Sequence, residues 1–410
     1  MSRTDTEPRT GMRRLLLTVP FVSAAPQLAF AVSNYFAALQ VQHIDNAAKV
    51  GNLALVHVAA AVAALLTQPL VGILSDRTRS AFGRRAPWML IGVLMGAAGL
   101  ITAGLSTSLV MLVIAVMVVH VGANAVYGPL SAILPDRVPV RVRGRYSTLA
   151  GLGTIVAAML GPLAASAFSA RIPLGYLTFA GMIVVAVVGF VALNPEPGNR
   201  DMPRPEFSAR TAAQSFWIDP RRCPDLWWAF LGRFLILGGY YMVLTYTMYI
   251  AQGYVGLSAA EAARLVPLIG LVGLPGLLVA ISVAGPWSDR TGRRKPLTLT
   301  GGLVIAASAL VPLALPTVTG LLLWGVVVTI GFGIFLSVDQ ALVSEILPDE
   351  EAFAKDLGIV NIAATLPNVI APLAAAGIVS ATGGYGALFP AVAVVAGAGA
   401  LAVLPIKSAR

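Results

Sequence analysis

The chain has 410 residues, of which 57% are hydrophobic and only 11% are charged, and its formal net charge is +10. Soluble domains carry about 25% charged residues, so this chain cannot cover itself with polar surface. The composition therefore excludes a soluble globular protein and indicates that the lipid bilayer is the solvent. The basic residues lie in short clusters between apolar runs, which excludes a nucleic-acid partner and is typical of membrane topology.

Apolar runs of the length that crosses a bilayer, about 20 residues, predict twelve membrane helices. The first six are predicted near residues 16–42, 52–75, 87–106, 108–134, 146–169 and 172–193. The last six are predicted near residues 225–251, 262–284, 297–316, 318–347, 357–381 and 386–405. We expect an N-terminal six-helix bundle over residues 1–193 and a C-terminal one over residues 225–410. Between them, the proline-rich residues 194–224 predict a cytoplasmic linker with one surface helix near residues 207–217.

The basic residues also predict the orientation. With the N-terminus inside, nearly all of the 28 lysines and arginines fall on the cytoplasmic side, and Lys49, Arg171, Arg264 and Arg233 are the exceptions. The positive-inside rule then places both termini in the cytoplasm of a multi-pass protein of the cell (inner) membrane. No cleavable signal peptide is expected. The single cysteine, Cys223, leaves no disulfide framework.

A charged loop follows the second predicted helix and recurs after the eighth. Its first copy reads GILSDRTRSAFGRRAPW from Gly72, and its second reads GPWSDRTGRRKP from Gly285. The SDRT motif begins at Ser75 and again at Ser288, an offset of 213 residues (288 − 75), and the ILPD motif that ends at Asp136 recurs with the same offset. The chain is therefore two related halves in tandem, and parallel repeats are typical of one transporter architecture.

Twelve helices in two parallel halves, each with a G-x-x-S-D-R-T…G-R-R loop, resemble the major facilitator superfamily. The four inserted residues 79–82 and the KDLGIVNIA run from Lys355 are similar to the glycoside–pentoside–hexuronide cation symporters and the sucrose–proton cotransporters. This resemblance implies an all-α membrane fold of two pseudo-symmetric six-helix bundles. It also implies transport of a small molecule by alternating access.

The resemblance also bears on the coupling ion. Sodium-using members of the group carry carboxylates just before the proline that corresponds to Pro69. Ala64 and Gln68 stand at the matching positions in this chain, and neither supplies a negative charge. The Gln-Pro pair is instead similar to the sucrose–proton cotransporters, which favours protons.

The resemblance implies that the first, fourth, seventh and tenth helices line a central cavity, and polar side chains occur there at helical spacing. Aromatic rings flanked by amides and hydroxyls suit a sugar site, because they combine a stacking surface with hydrogen-bonding groups. In the alternative interpretation, the tyrosines form an interfacial belt and the amides bridge helices. The candidate substrate-binding residues are Gln27, Asn34, His120, Asn124, Tyr127, Tyr241, Thr245, Tyr249 and Asn361, the last in the eleventh predicted helix.

Asp339 and Arg233 lie at similar depths in the tenth and seventh predicted helices, roughly 12 Å from the cytoplasmic end at 1.5 Å per residue. Pairing would reduce the cost of burying either charge. The pair is either a proton-coupling site, in which protonation of Asp339 releases Arg233, or a static ion pair. His57 and His120 are further candidates for carrying the proton, because histidine titrates near neutral pH.

The two repeated loops predict a cytoplasmic gate in which the aspartates contact arginines and helix N-termini. If the loops only determined topology, the arginines would be explained but the repeated aspartate would not. The candidate gate residues are Gly72, Asp76, Arg77, Arg84 and Arg85 in the first loop and Asp289, Arg290, Arg293 and Arg294 in the second.

These features predict a proton-coupled symporter of a sugar or glycoside, with a small-molecule substrate, protons and the bilayer as partners and a monomeric state. The alternative is a proton-driven exporter of a drug or secondary metabolite. Exporters of the family resembled carry an arginine four residues before a glycine of the fourth helix, where Val118 precedes Gly122 here. The three histidines and one cysteine are scattered, so we expect no metal, no cofactor and no enzyme. A membrane sensor that does not transport a solute is a further interpretation that the sequence leaves open.

Overall fold

The computed structural model describes residues 9–200, 224–346 and 353–407. The chain divides into two compact units, Met1–Glu206 and Phe207–Arg410. The first unit contains α1 (Arg9–Ile44), α2 (Lys49–Arg77), α3 (Ala86–Gly104), α4 (Leu109–Arg137), α5 (Val140–Ser166) and α6 (Ile172–Leu193). The second contains α7 (Pro224–Gly253), α8 (Ala259–Thr291), α9 (Arg294–Ser308), α10 (Leu310–Ala314), α11 (Val318–Ile346), α12 (Phe353–Thr382) and α13 (Leu388–Leu401).

The helices agree in order with those predicted from the sequence. Within the described residues, 11 helices are long and apolar enough to cross a membrane, with α9 and α10 together forming one of them over Arg294–Ala314. The helix α13, in the place of the twelfth predicted helix, is shorter at 14 residues. The surface helix predicted near residues 207–217 lies outside the described residues, and the predicted domain boundaries stay predictions.

Large apolar side chains cover much of the accessible surface of both units. Phe21 and Val185 in the first unit and Val279 in the second are each more than 60% exposed. In water such a surface would be unfavourable, whereas in lipid it is the expected outer face of a helix whose backbone polar groups are bonded internally.

The two units repeat one packing pattern. In the first unit, α3 packs against α4 and α6, α1 packs against α5 and α6, and α2 packs against α4. In the second unit, α9 packs against α11 and α13, α7 packs against α12 and α13, and α8 packs against α11. The tandem repeat in the sequence is therefore also a repeat in helix packing.

Glycine allows the closest of these contacts. A Cβ atom added at Gly92 in α3 would lie 2.8 Å from the carbonyl oxygen of Gly122 in α4. At the equivalent contact in the second unit, a Cβ atom at Gly301 in α9 would lie 3.0 Å from the carbonyl oxygen of Gly331 in α11. Small residues let membrane helices approach closely. These contacts fix α4 and α11, the helices that carry His120 and Asp339.

We predict that Gly92→Val destabilises the first unit, because the added side chain has no space between α3 and α4. The expected cost is about 1–3 kcal/mol, the usual range for overpacking. Thermal unfolding of the detergent-solubilised protein measures it. Gly181→Val in α6 is the matched control, since no atom lies within 4 Å of a Cβ atom at that position. Equal melting temperatures for the two variants would contradict the prediction.

Candidate functional site

The loop between α2 and α3 carries an ion-pair network centred on Arg85, which is only 7% exposed. Its Nη1 donates to Ser75 Oγ at 2.7 Å, and its Nε donates to Asp136 Oδ2 at 3.1 Å. Its Nη2 lies 2.8 Å from Asp76 Oδ1, while Arg84 Nη2 lies 2.6 Å from Asp136 Oδ1. The predicted residues Asp76, Arg84 and Arg85 therefore do come together. Arg77 is exposed, and Gly72 has open space beside it.

The segment after α6 completes this network with residues that the sequence analysis missed. Glu196 Oε2 accepts from the backbone N–H of Arg85 at 2.8 Å, at the N-terminus of α3, where a carboxylate is stabilised by the helix dipole. Asn199 Oδ1 accepts from Ser80 N at 3.0 Å, and Asn199 Nδ2 donates to the Thr78 carbonyl at 2.9 Å. The start of the predicted linker is therefore bonded to the α2–α3 loop (residues 78–85). A carboxylate just after an apolar helix is the one sequence signal that could have indicated it.

The equivalent loop of the second unit is built differently. Arg294 Nη1 donates to the Ala341 carbonyl, and Arg294 Nε lies 3.1 Å from Glu345 Oε1. That distance marks an ion pair, but among the described residues neither Arg294 Nε nor Ser288 Oγ has a hydrogen-bond partner, although both are buried. The sequence predicted the same arrangement in both loops. The structure shows it in the first unit alone for the part of the chain that it describes.

The other predicted gate residues of this second loop do not join a network. Asp289, Arg290 and Arg293 are exposed, and Asp289 makes no ion pair with any described residue. The counterpart of Asp136 in the second half, Asp349, lies outside the described residues. Asp289 therefore has no arginine partner among the described residues, and its role in a gate stays a prediction.

We predict that Arg85→Lys lowers the stability of the protein. Lysine keeps the charge but lacks the fork that reaches Ser75, Asp76 and Asp136 together. A buried polar partner left unsatisfied costs about 1–3 kcal/mol. Thermal unfolding in detergent measures the change, with Arg290→Lys at an exposed position of the repeated loop as the control. The prediction is wrong if both lysine variants unfold at the wild-type temperature.

An ion pair lies within the second unit, between α7 and α11. Arg233 Nη1 is 3.1 Å from Asp339 Oδ2, and the two side chains are 10% and 6% exposed. Among the described residues, no other Asp, Glu, Lys or Arg lies in the middle of a helix. Arg233 Nη1 and Nε are nevertheless without a hydrogen-bond partner, so the pair is close without good hydrogen-bond geometry. The two residues that the sequence placed at one depth are thus neighbours.

A phenol of α7 interacts with this pair and with an amide of α12. The Tyr241 phenol in α7 lies within hydrogen-bonding reach of the Asn368 amide in α12 and interacts electrostatically with Arg233. The neighbouring ring of Tyr240 stacks on Phe332 of α11, with centroids 4.5 Å apart and an interplanar angle of 10°. Tyr240 was not among the predicted residues, because its stacking partner is on another helix. The polar cluster of the second unit thus comprises Arg233, Asp339, Tyr240, Tyr241 and Asn368.

The remaining predicted residues of the second unit differ in their surroundings. Thr245 is partly exposed and hydrogen-bonds to no described residue. Tyr249 is completely buried, and its role as a substrate-binding residue stays a prediction. Tyr246 is also completely buried, and its hydroxyl donates to the Pro372 carbonyl at 3.0 Å, which excludes an interfacial belt position. The side chain of Asn361 lies outside the described residues.

In the first unit, α2 and α4 bring the two candidate histidines near each other. The His57 and His120 imidazoles interact electrostatically, and the His120 ring packs on Phe30 with centroids 4.8 Å apart. His120 Nε2 is buried and has no hydrogen-bond partner among the described residues. Asn124 Nδ2 donates to the His120 carbonyl at 2.8 Å, which ties that amide to its own helix.

Three predicted residues of the first unit keep accessible polar groups. Gln27 and Asn34 in α1 are partly exposed, and their amides make no hydrogen bond with any described residue. Tyr127 in α4 is 45% exposed. In the described part of the chain, no group of three or more His, Cys, Asp and Glu side chains could hold a metal ion. The polar groups that this unit offers to a solute are thus uncharged.

Comparison with known proteins gives a family and a fold. The family model of the Major Facilitator Superfamily matches residues 27–351 and 276–409 of the chain. No curated protein sequence matches this chain. The peptide transporter POT in complex with sulfate is similar in structure, with a TM-score of 0.77 and 16% identity, over 96% of this chain and 94% of its own.

Two further transporters share the fold. A mutant of the nucleoside transporter NupG has a TM-score of 0.75 and 13% identity, over 96% of this chain and 99% of its own. A bacterial homolog of the human lysosomal transporter Spinster, inward-facing and unoccupied, has a TM-score of 0.70 and 14% identity, over 98% of this chain and 95% of its own. These likenesses confirm the predicted all-α membrane fold.

Proposed function

This chain belongs to the Major Facilitator Superfamily, and from that premise we propose that it is a proton-coupled symporter of a sugar or glycoside. The family makes it a multi-pass membrane transporter of a small molecule and not an enzyme. The coupling ion and the substrate class go beyond the family. They are supported by the ion pair of the second unit, by the uncharged polar groups of the first, and by the resemblance to the sucrose–proton cotransporters.

The ion pair between Arg233 and Asp339 carries the proposal of proton coupling. A charge at the centre of a bilayer costs at least about 2.5–3.5 kcal/mol, so an intramembrane acid needs a reason to be there. A static pair is most stable when the arginine makes two parallel hydrogen bonds to the carboxylate. Here Arg233 Nη1 is 3.1 Å from Asp339 Oδ2 but lacks hydrogen-bond geometry. Such a loosely held pair is better suited to opening during a cycle than to locking two helices.

Protonation supplies the step that opens the pair. A proton on Asp339 removes its negative charge, and Arg233 then has no counter-ion in the middle of the unit. The Tyr241 phenol, which interacts electrostatically with Arg233, is a group that can accept a hydrogen bond from the guanidinium. We assign proton binding to Asp339 and release to the return of Arg233. His57 and His120 remain the secondary candidates for carrying the proton.

The charge balance of the helices supports a neutral substrate. A cationic solute would require an acid without a partner, and an anionic one would require a spare cation, whereas Asp339 and Arg233 already neutralise each other. The amides of Gln27 and Asn34 and the hydroxyls of Tyr127 and Thr245 are uncharged donors and acceptors. They suit the hydroxyl groups of a sugar.

We also propose that the Arg85 network acts as the gate at the cytoplasmic side, with Asp76, Arg84 and Asp136 as its partners. The repeated loop residues Asp289, Arg290, Arg293 and Arg294 belong to the same proposal, with contacts that form in another conformation. The proposal includes a monomer in the cell (inner) membrane with both termini cytoplasmic.

We predict that uptake of a transported disaccharide into proteoliposomes responds to an imposed pH gradient and is indifferent to Na⁺. The reason is that Ala64 and Gln68 bring no carboxylate to the place where sodium-using relatives carry one. Accumulation of radiolabelled sucrose and of a panel of disaccharides and drugs measures this. Strict dependence on Na⁺ at constant pH would sink the proton assignment, and accumulation of drugs alone would favour the exporter.

We predict that Asp339→Asn still exchanges substrate across the membrane but cannot concentrate it. The neutral amide mimics the protonated acid, so the transporter can reorient with substrate but cannot release a proton. Counterflow and pH-driven uptake, measured side by side, separate the two activities. Full proton-driven accumulation by Asp339→Asn would make the acid a structural partner.

The melting temperatures of related variants give a control for Asp339→Asn that does not depend on transport. Arg233→Ala alone leaves Asp339 buried and unpaired, a change that typically costs about 3–5 kcal/mol. The double variant Arg233→Ala with Asp339→Asn strands no charge and is expected to melt at a higher temperature than Arg233→Ala.

A further inference from the structure

The helices α7 and α11 meet in two layers. One layer is the ion pair of Arg233 and Asp339, and the other is the stack of Tyr240 and Phe332. Tyr240 follows Arg233 by seven residues on α7, and Phe332 precedes Asp339 by seven residues on α11. Seven residues are about two helical turns, so each helix presents both of its residues on one face. At 1.5 Å per residue, the aromatic layer lies roughly 10 Å from the charged one.

The Tyr240 ring packs against two aromatic neighbours, whereas its hydroxyl hydrogen-bonds to no described residue. Phe332 stacks on one face of the ring, and Tyr241 meets it edge-on with centroids 5.4 Å apart. The Tyr240 hydroxyl makes no hydrogen bond with any described residue, and Tyr240 as a whole is partly exposed. Tyrosine hydroxyls inside proteins usually find a partner. The Tyr246 hydroxyl, six residues further along α7, does so on the Pro372 carbonyl.

A rigid ring with an unused hydroxyl is prepared for a ligand, because little side-chain freedom is lost when the ligand binds. The hydroxyl can both donate and accept, which suits a neutral hydroxylated solute. The edge-on contact also joins Tyr240 to Tyr241, which hydrogen-bonds to Asn368 and interacts electrostatically with Arg233.

We propose that Tyr240 binds the transported solute, with its phenol exchanging hydrogen bonds with a solute hydroxyl and Phe332 fixing the ring. This assignment rests on the proposed sugar transport and adds a residue of the second unit that hydrogen-bonds to the substrate. Tyr241 then acts as the positioning residue that links an occupied Tyr240 layer to the Arg233–Asp339 layer.

The first test asks whether position 240 faces the aqueous pathway. Cys223 is the single cysteine, so Cys223→Ser gives a background in which one new thiol can be labelled. In proteoliposomes, Tyr240→Cys is expected to react with N-ethylmaleimide, and Tyr246→Cys, at a completely buried position, is the unreactive control. A disaccharide that the protein transports is expected to slow the reaction at position 240. An unreactive Tyr240→Cys would overturn the assignment, whether or not any sugar is transported.

The second test separates substrate binding from structure. Tyr240→Phe keeps the stack and removes one hydroxyl, so the KM for radiolabelled sucrose is expected to rise about 3- to 10-fold, the loss of one hydrogen bond. The proton-to-sugar ratio and the melting temperature should stay at wild-type values. Tyr246→Phe is the matched control, with a lower melting temperature and an unchanged KM.

The possible failures are distinct. A wild-type protein that accumulates no member of the disaccharide panel contradicts the proposed function, and the labelling of position 240 then still decides whether this residue lines the pathway. A wild-type protein that accumulates sucrose while Tyr240→Phe keeps the wild-type KM contradicts the assignment of Tyr240 alone.

Discussion

The cost of placing a charge in hydrocarbon is the constraint on which this structure depends. Nearly every charged residue is at or near a helix end, where water or lipid headgroups can solvate it. Arg233 and Asp339 are the exception among the described residues, and they are tolerated because each is the counter-ion of the other. If the pair opened, the Arg233 guanidinium would need other hydrogen-bond acceptors. Tyr241, which hydrogen-bonds to Asn368 and interacts electrostatically with Arg233, is a polar group that can serve as one. The proposed proton coupling needs such a marginal arrangement, because an ion pair that was too stable would never open to bind a proton.

The two units share one helix packing but differ in their polar side chains and in the contacts that these make. The helix packing and the glycine contacts, Gly92 with Gly122 and Gly301 with Gly331, recur in both units because they determine how closely the backbones approach. The side chains between those contacts have diverged. The first unit holds a complete network around Arg85 at its loop and neutral groups in its interior. Among the described residues, the second has fewer contacts around Arg294, and it carries the ion pair of Arg233 and Asp339 inside. The packing contacts thus occur in both units, whereas the polar contacts of the described residues differ between them.

Apolar runs were sufficient to predict the helices. The equal distance of Arg233 and Asp339 from the cytoplasmic ends of their helices was sufficient to predict that they are neighbours, because that distance follows from position along each helix. Contacts between helices were not predictable in this way. Spacing by four residues placed Tyr249 with Tyr241 on one face of α7, but α12 and α13 both pack on this helix, and Tyr249 is buried. Tyr240 was missed because its stacking partner, Phe332, lies 92 residues later in the sequence (332 − 240). Glu196 was missed because its partner is the N-terminus of α3, which periodicity cannot locate.

The bonds from Glu196 and Asn199 to the α2–α3 loop have a mechanical consequence. They mean that the polypeptide leaves the first unit from that loop and not from the end of α6 at Leu193. The loop that holds Arg85 and the covalent connection toward the second unit are therefore one piece. A displacement of the loop therefore also moves Glu196 and Asn199, and it acts on the hydrogen bonds at the N-terminus of α3. Residues 194–200 thus move with the α2–α3 loop, although they follow α6 in the sequence.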